Sequence, residues 1–197
     1  MGLFTLEQSK LAYRADFALY GGAVAGMVVL LMLAGPRAHP PASVLWVGAG
    51  LLGWSAIEYA LHRFVLHGLE PFRGWHAAHH QRPGALICAP TILSATLIAL
   101  LVFVPAWLLG DLWLSCALTL GLLAGYLAYA VTHHATHHWH ADSAWLQRRK
   151  RWHALHHHVE QPACYGVTSA LWDHVFGSLP RARAVRASPR ESPQDQL

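Results

Sequence analysis

Residues 112–140 read LWLSCALTLGLLAGYLAYAVTHHATHHWH. Two signals meet in this one stretch. Leu112–Thr132 carries no charge and is long enough to cross a hydrocarbon core, which takes about 20 apolar residues in a helix. His133 and His137 follow without a break, four residues apart, so both project from one helical face. His134 and His138 repeat the spacing one residue on, and periodicity supports either pair. A helix that leaves a membrane and ends in imidazoles predicts a metal site seated on the end of a membrane bundle.

Three more apolar runs lie upstream. Phe17–Gly35 is uncharged and long enough to span. Pro40–Ile57 continues as a helical pattern through Glu58 to about His67. Gly84–Gly110 is interrupted by Pro90 and Pro105, so its helix is expected within Thr91–Leu109. Gly110-Asp111 predicts a tight turn that makes the last two spans a hairpin. The expected fold is all-α and integral to a membrane, with four transmembrane helices and a cytosolic histidine-rich helical cap. The domain is expected over residues 17–180, after an N-terminal segment 1–16. The tail 181–197 is rich in Arg, Ser, Pro and Gln and reads as disordered.

Composition narrows the class. Hydrophobic residues make up 54% of the 197, and charged residues only 12%, too apolar a balance for a soluble core alone. Cys88, Cys116 and Cys164 sit far apart with no CxxC spacing, which excludes a disulfide framework and a cysteine zinc site. The net charge of +4 is modest, and its basic residues gather near membrane ends, which argues for membrane orientation and against nucleic acid. The first apolar run begins near Phe17, behind Glu7, Lys10, Arg14 and Asp16, so no cleavable signal peptide is expected.

Four spans with the N-terminus inside put every histidine cluster on the inner face. Lys10, Arg14, Arg63, Arg73, Arg82 and Arg148–Arg151 fall on that side, whereas the opposite loops carry little beyond Arg37 and Asp111. This is the positive-inside bias, and it predicts a multi-pass protein of the cell inner membrane with its histidines on the cytoplasmic side.

The chain holds 16 histidines. Four clusters have regular spacing: His62-x4-His67, His76-x2-His79-His80, His133-x3-His137 and His153-x2-His156-His157. Neutral imidazole binds Fe, Zn, Cu and Ni. Ten such nitrogens are too many for one ion and suit two, with about five each and a position left open on both. A lone interfacial histidine is usually just amphipathic, but a solvated basic surface has no use for four clusters where lysine or arginine would serve. Glu58, four residues before His62 on the same face, and Asp173 are candidates to accept the second N–H of a metal-binding histidine. Surface pairing of Glu58 with Arg63 or Arg82 is the plainer alternative. A zinc transporter or an inert zinc protein is the rival class, yet transport needs polar ligands along a path through the membrane interior, and the spans are nearly free of them.

Three motifs carry a family resemblance: EYALHRFVLH at 58–67, WHAAHHQRP at 75–83, and WHALHHHVEQPACYGVTSALWDHVFGSLP at 152–180. Together they resemble the fatty acid hydroxylase / sterol desaturase superfamily of membrane histidine-box di-iron enzymes. The last stretch is similar to that family's final box and its G-[VI]-[ST]-S-x-x-W-D-x-[VL]-F-G-T signature, with Ser178 in the closing Thr place. The resemblance implies His62, His67, His76, His79, His80, His133, His137, His153, His156 and His157 as metal ligands. It favours the His133/His137 register through a box resembling Y-D-x-x-H-x-x-x-H, in which Tyr129 is present and Ala130 replaces the aspartate. It also implies two Fe ions, O2 as co-substrate, and hydroxylation or desaturation of a fatty acyl chain or sterol. The short carotenoid hydroxylases share similar boxes, but Tyr165–Gly177 fits the fatty acid/sterol branch better. Purified samples can carry zinc, because Zn2+ outranks Fe2+ at nitrogen sites. No GxGxxG motif follows a strand, so electrons are expected from a separate donor, cytochrome b5- or ferredoxin-like.

Overall fold

The computed structural model describes residues 7–36, 40–158 and 163–179. Ser9 caps the first helix, α1 (Lys10–Ala34), its hydroxyl accepting from the Ala12 N–H at 3.2 Å. This helix starts well before Phe17 and takes in Arg14 and Asp16. It can do so because the buried Asp16 has a partner: Thr91 donates its hydroxyl to Oδ1 at 2.5 Å.

α2 (Pro40–Ala60) runs straight into a π-helical turn, Leu61–Leu66. The wide turn answers a problem in the first histidine pair. Residues five apart diverge by more than a third of a revolution on an α-helix, and i→i+5 hydrogen bonding removes most of that divergence. The His62 and His67 rings end 5.3 Å apart.

The third span is one continuous helical run, α4 (Thr91–Ile98), a π-turn at Ala99–Phe103 and α5 (Val104–Leu109), which follows α3 (Phe72–Gln81). Pro105 explains the second π-turn. Proline removes an N–H and crowds the carbonyl four residues back, and local widening relieves both. Ser115 donates to the Phe103 carbonyl at 2.7 Å. Asp111 then caps α6 (Leu112–His138), accepting from the Leu114 N–H at 2.8 Å. α6 carries the apolar run and the third histidine cluster on one unbroken axis. α7 (Ala144–His158) and the short α8 (Leu171–Val175) complete the chain.

Among the described residues four segments are long and apolar enough to cross a membrane: Lys10–Ala34, Pro41–Leu66, Thr91–Leu109 and Leu112–His138. The chain is a multi-pass membrane protein. Val29, Met32, Leu33, Leu101 and Leu108 lie exposed, as side chains facing lipid do. α2 and α6 meet backbone to backbone. A Cβ at Gly50 would fall 2.1 Å from the Leu118 carbonyl oxygen, and one at Gly121 only 1.9 Å from that of Val47. Small residues at a helix crossing permit this approach, and it holds the helices bearing His62, His67, His133 and His137 in fixed relation. Among the described residues the only β-pairing is an isolated bridge between Glu7 and Ile87. The tail 181–197, read from sequence as disordered, and residues 1–6 of the N-terminal segment lie outside the described residues.

Candidate metal centre

Four elements deliver imidazoles to one end of the bundle: the π-turn after α2, α3, the last turns of α6, and α7. They sort into two groups. His62, His67, His76, His80 and His156 form one, and His79, His133, His137 and His153 the other. Within each, the candidate ligand atoms all lie within 4.8 Å of one another. His157 sits beside the second group, its Nε2 3.1 Å from that of His153. Its ring stacks on His80 at 4.1 Å, so the two groups adjoin.

The spacing between nitrogens tests whether a metal fits. Nε2 atoms approach at 3.0 Å in His62–His76, His67–His156 and His76–His80. They approach at 3.2 Å in His79–His133 and 2.8 Å in His137–His153. With metal–nitrogen bonds of about 2.0–2.1 Å, two nitrogens at right angles on one ion lie about 2.9 Å apart. Hydrogen bonding alone does not account for the pattern. His76 Nε2 faces both His62 Nε2 and His80 Nε2. If it carries the proton it has no lone pair for the second neighbour, and if it does not it has nothing to donate to the first. His153 Nε2 is in the same position between His137 and His157. A shared cation satisfies every lone pair at once, so the residues present fit a pair of metal ions.

Protonation is suited to ligation. Burial drives the imidazoles of His79 and His80 down to about 4 and that of His157 to about 2. Burial, and then the neighbouring imidazoles, also hold His76, His153 and His156 well below the ordinary imidazole range. All are neutral near pH 7, the form that binds a metal. Two also have a fixed tautomer. His62 Nδ1 donates to the Tyr165 carbonyl at 2.5 Å and His156 Nδ1 to the Ala163 carbonyl at 2.9 Å, which leaves both Nε2 lone pairs free.

The rotation of α6 places the two candidate pairs on different sides. His133 and His137 turn toward α3 and α7. His134 turns the other way, its Nδ1 3.2 Å from the Tyr13 hydroxyl, and stacks on His138 at 4.6 Å.

Glu58 and Asp173 stand differently from the direct carboxylate–imidazole contact expected of them, and also from a surface ion pair. Both are buried. Glu58 accepts from the Val167 N–H at 2.8 Å, the Thr168 N–H at 2.9 Å and the Thr168 hydroxyl at 2.5 Å. Asp173 accepts from the Tyr165 N–H at 2.9 Å, the Gly166 N–H at 2.8 Å and the Ser178 hydroxyl at 2.7 Å. For His62 and His156 the acceptors are backbone carbonyls instead, which have no side-chain signature to read. Arg149, one of the basic residues read as falling on the inner side, is buried. Its guanidinium lies 4.6 Å from the Trp152 ring centre and interacts electrostatically with Asp173 and Glu58.

Known proteins resemble this chain in sequence and in fold. It is 35% identical over 155 residues to "Dihydroceramide fatty acyl 2-hydroxylase FAH2" of Arabidopsis thaliana, covering 72% of this chain and 63% of that protein. It is 30% identical over 148 residues to "Ceramide very long chain fatty acid hydroxylase scs7" of Schizosaccharomyces pombe, covering 66% of this chain and 40% of that protein. The chain thus spans less than two thirds of the length of these relatives. The solved structure of full-length scs7p, in which only the hydroxylase domain is visible, shares the fold at a TM-score of 0.73 and 24% identity, covering 95% of this chain and 71% of that one. Residues 47–178, which include every clustered histidine, match the model of the fatty acid hydroxylase family, and the chain belongs to that family.

Proposed function

We propose that this chain is a membrane oxidoreductase that uses two irons and O2 to hydroxylate a fatty acyl chain of a lipid. The observation that supports this most directly is the pair of histidine groups, neutral and convergent, at one end of an apolar four-helix bundle. His62, His67, His76, His80 and His156 would hold one iron. His79, His133, His137 and His153, with His157 as a fifth, would hold the other. Irons bound there supply oxygen activation, the chemistry that an unactivated C–H bond demands. The chain's own part is to present unprotonated nitrogens, fix their directions and keep the site beside the bilayer, from which a lipid can enter sideways.

The reaction balances as R–H + O2 + two electrons + two protons giving R–OH + H2O. The electrons come from a separate one-electron donor, cytochrome b5- or ferredoxin-like. The relatives named above hydroxylate fatty acyl groups of ceramide or dihydroceramide, which favours hydroxylation over desaturation and an acyl chain over a sterol. The exposed Lys10, Arg14, Arg148 and Arg151 accompany the histidine end, and the positive-inside rule supports placing it on the cytoplasmic side of the inner membrane.

The test is lipid profiling by mass spectrometry of a host with and without the chain, grown under labelled O2. The expected result is a lipid product heavier by one oxygen atom derived from O2, and none with His76→Ala. A product lighter by two hydrogens, or no new product, contradicts the proposal.

A further inference from the structure

Four successive backbone N–H groups, Tyr165 to Thr168, all point at two buried carboxylates. Asp173 takes the first two and Glu58 the last two. Each carboxylate gains a third donor from a hydroxyl, Ser178 for Asp173 and Thr168 for Glu58. The segment is pinned further by the Cys164 N–H on the Ser178 carbonyl at 3.0 Å and by the Ser178 hydroxyl 2.8 Å from that of Tyr59. The buried Arg149 interacts electrostatically with both carboxylates without forming an ion pair among the described residues. Among the described residues neither carboxylate hydrogen-bonds an imidazole. What this clamp fixes is a short length of main chain whose Ala163 and Tyr165 carbonyls hold His156 and His62.

Both of those histidines belong to the five-histidine group. The other group has no such support. Nδ1 of His79 and Nδ1 of His157 are buried and find no hydrogen-bond partner among the described residues. One cluster therefore has two of its rings fixed by main-chain carbonyls, whereas the other holds two imidazoles with no such anchor among the described residues.

The structure assigns to Glu58 and Asp173 the role of positioning residues for the five-histidine site alone, so that the two metal positions differ in affinity and fill in order, that site first. This rests on the reading that both groups hold metal. Losing an outer partner of a metal-binding histidine lowers metal affinity about 10–100-fold. Here the partner is a carbonyl, and the carboxylates act one step behind it.

The experiment is anaerobic titration of the metal-free full chain in detergent with Co2+, followed by absorption and calorimetry. The wild type is expected to take up two equivalents in two resolved phases. His76→Ala should abolish the tighter phase and His133→Ala the weaker one. Asp173→Asn and Glu58→Gln each turn an acceptor into a donor facing an N–H. They should weaken the tight phase about 10–100-fold and leave the other within about twofold. Equal weakening of both phases in a variant with wild-type circular dichroism overturns the inference, as do two unchanged phases or a wild type whose phases coincide. Should those variants not fold, Ser178→Ala and Thr168→Val, each removing one hydroxyl from a carboxylate, carry the same selective expectation at about threefold or more, and an unselective response overturns it. A wild type that binds fewer than two equivalents overturns the two-iron reading as well. Lipid hydroxylation by a chain with two equal sites overturns this inference only.

Discussion

His137 and His138 are adjacent in sequence and unlike in place. His137 approaches His153 Nε2 to Nε2 at 2.8 Å, whereas His138 is exposed and stacks on His134. His137→Ala is expected to cut product formation by more than about 100-fold, beyond what an outer partner costs. His138→Ala should leave it within about threefold. Assay of the two variants at matched expression decides the register, and equal loss in both contradicts it. Spacing marked three of the four clusters in the sequence, because i, i+3 and i, i+4 repeats of one residue type are visible without a fold; the first stood out as a pair of histidines five apart. It did not separate His133/His137 from His134/His138, since both pairs have the same period and only packing against α1 on one side and α7 on the other distinguishes them. Glu58 and Asp173 stood out as acids near histidines. Their partners did not, because those partners are main-chain N–H groups of a segment with no regular structure.

At the level of elements, the bundle rests on the α2–α6 crossing and the cap on where those helices end. Gly121→Ala would force a Cβ to within 1.9 Å of the Val47 carbonyl oxygen, a backbone atom that cannot swing aside. Overpacking of this kind costs about 1–3 kcal/mol. Because the π-turn that continues α2 and the end of α6 each carry candidate ligand histidines, the variant is expected to lower occupancy of both metal positions together, unlike a clamp variant. Metal analysis beside a thermal melt checks this, and full occupancy at an unchanged melting temperature contradicts it. The spans themselves were legible: Thr91–Leu109 runs as read, and Gly110-Asp111 makes the turn. The π-turns were not. A histidine spacing of five looks irregular beside neighbours at three and four, and hydrophobic patterning has no signal for one extra residue in a turn. α1 begins earlier than its apolar run because burial of Asp16 against Thr91 depends on a helix far along the chain.

For the whole molecule, the cap is a dense store of neutral imidazole. His79 and His80 sit near 4 in the fold, against an ordinary value near 6.5 in the unfolded chain. The unfolded state therefore binds more protons across that window, and stability rises with pH through it. The metal-free chain should lose melting temperature steadily as pH falls from about 6.5 to 4, and the metal-loaded chain should resist until protons displace the ions. A flat profile for the metal-free protein contradicts the burial of these rings. Membrane class, bundle and histidine cap all follow from periodicity and charge, but the separation of nine rings into two groups, with His157 beside the second, belongs to the folded chain, where π-turn, α3, α6 and α7 converge. The most direct measurement is the iron content of the purified full chain from iron-supplied cells, by plasma mass spectrometry against amino-acid quantitation. Two metal ions per chain, counting any zinc in place of iron, is the predicted result; one or none would contradict it.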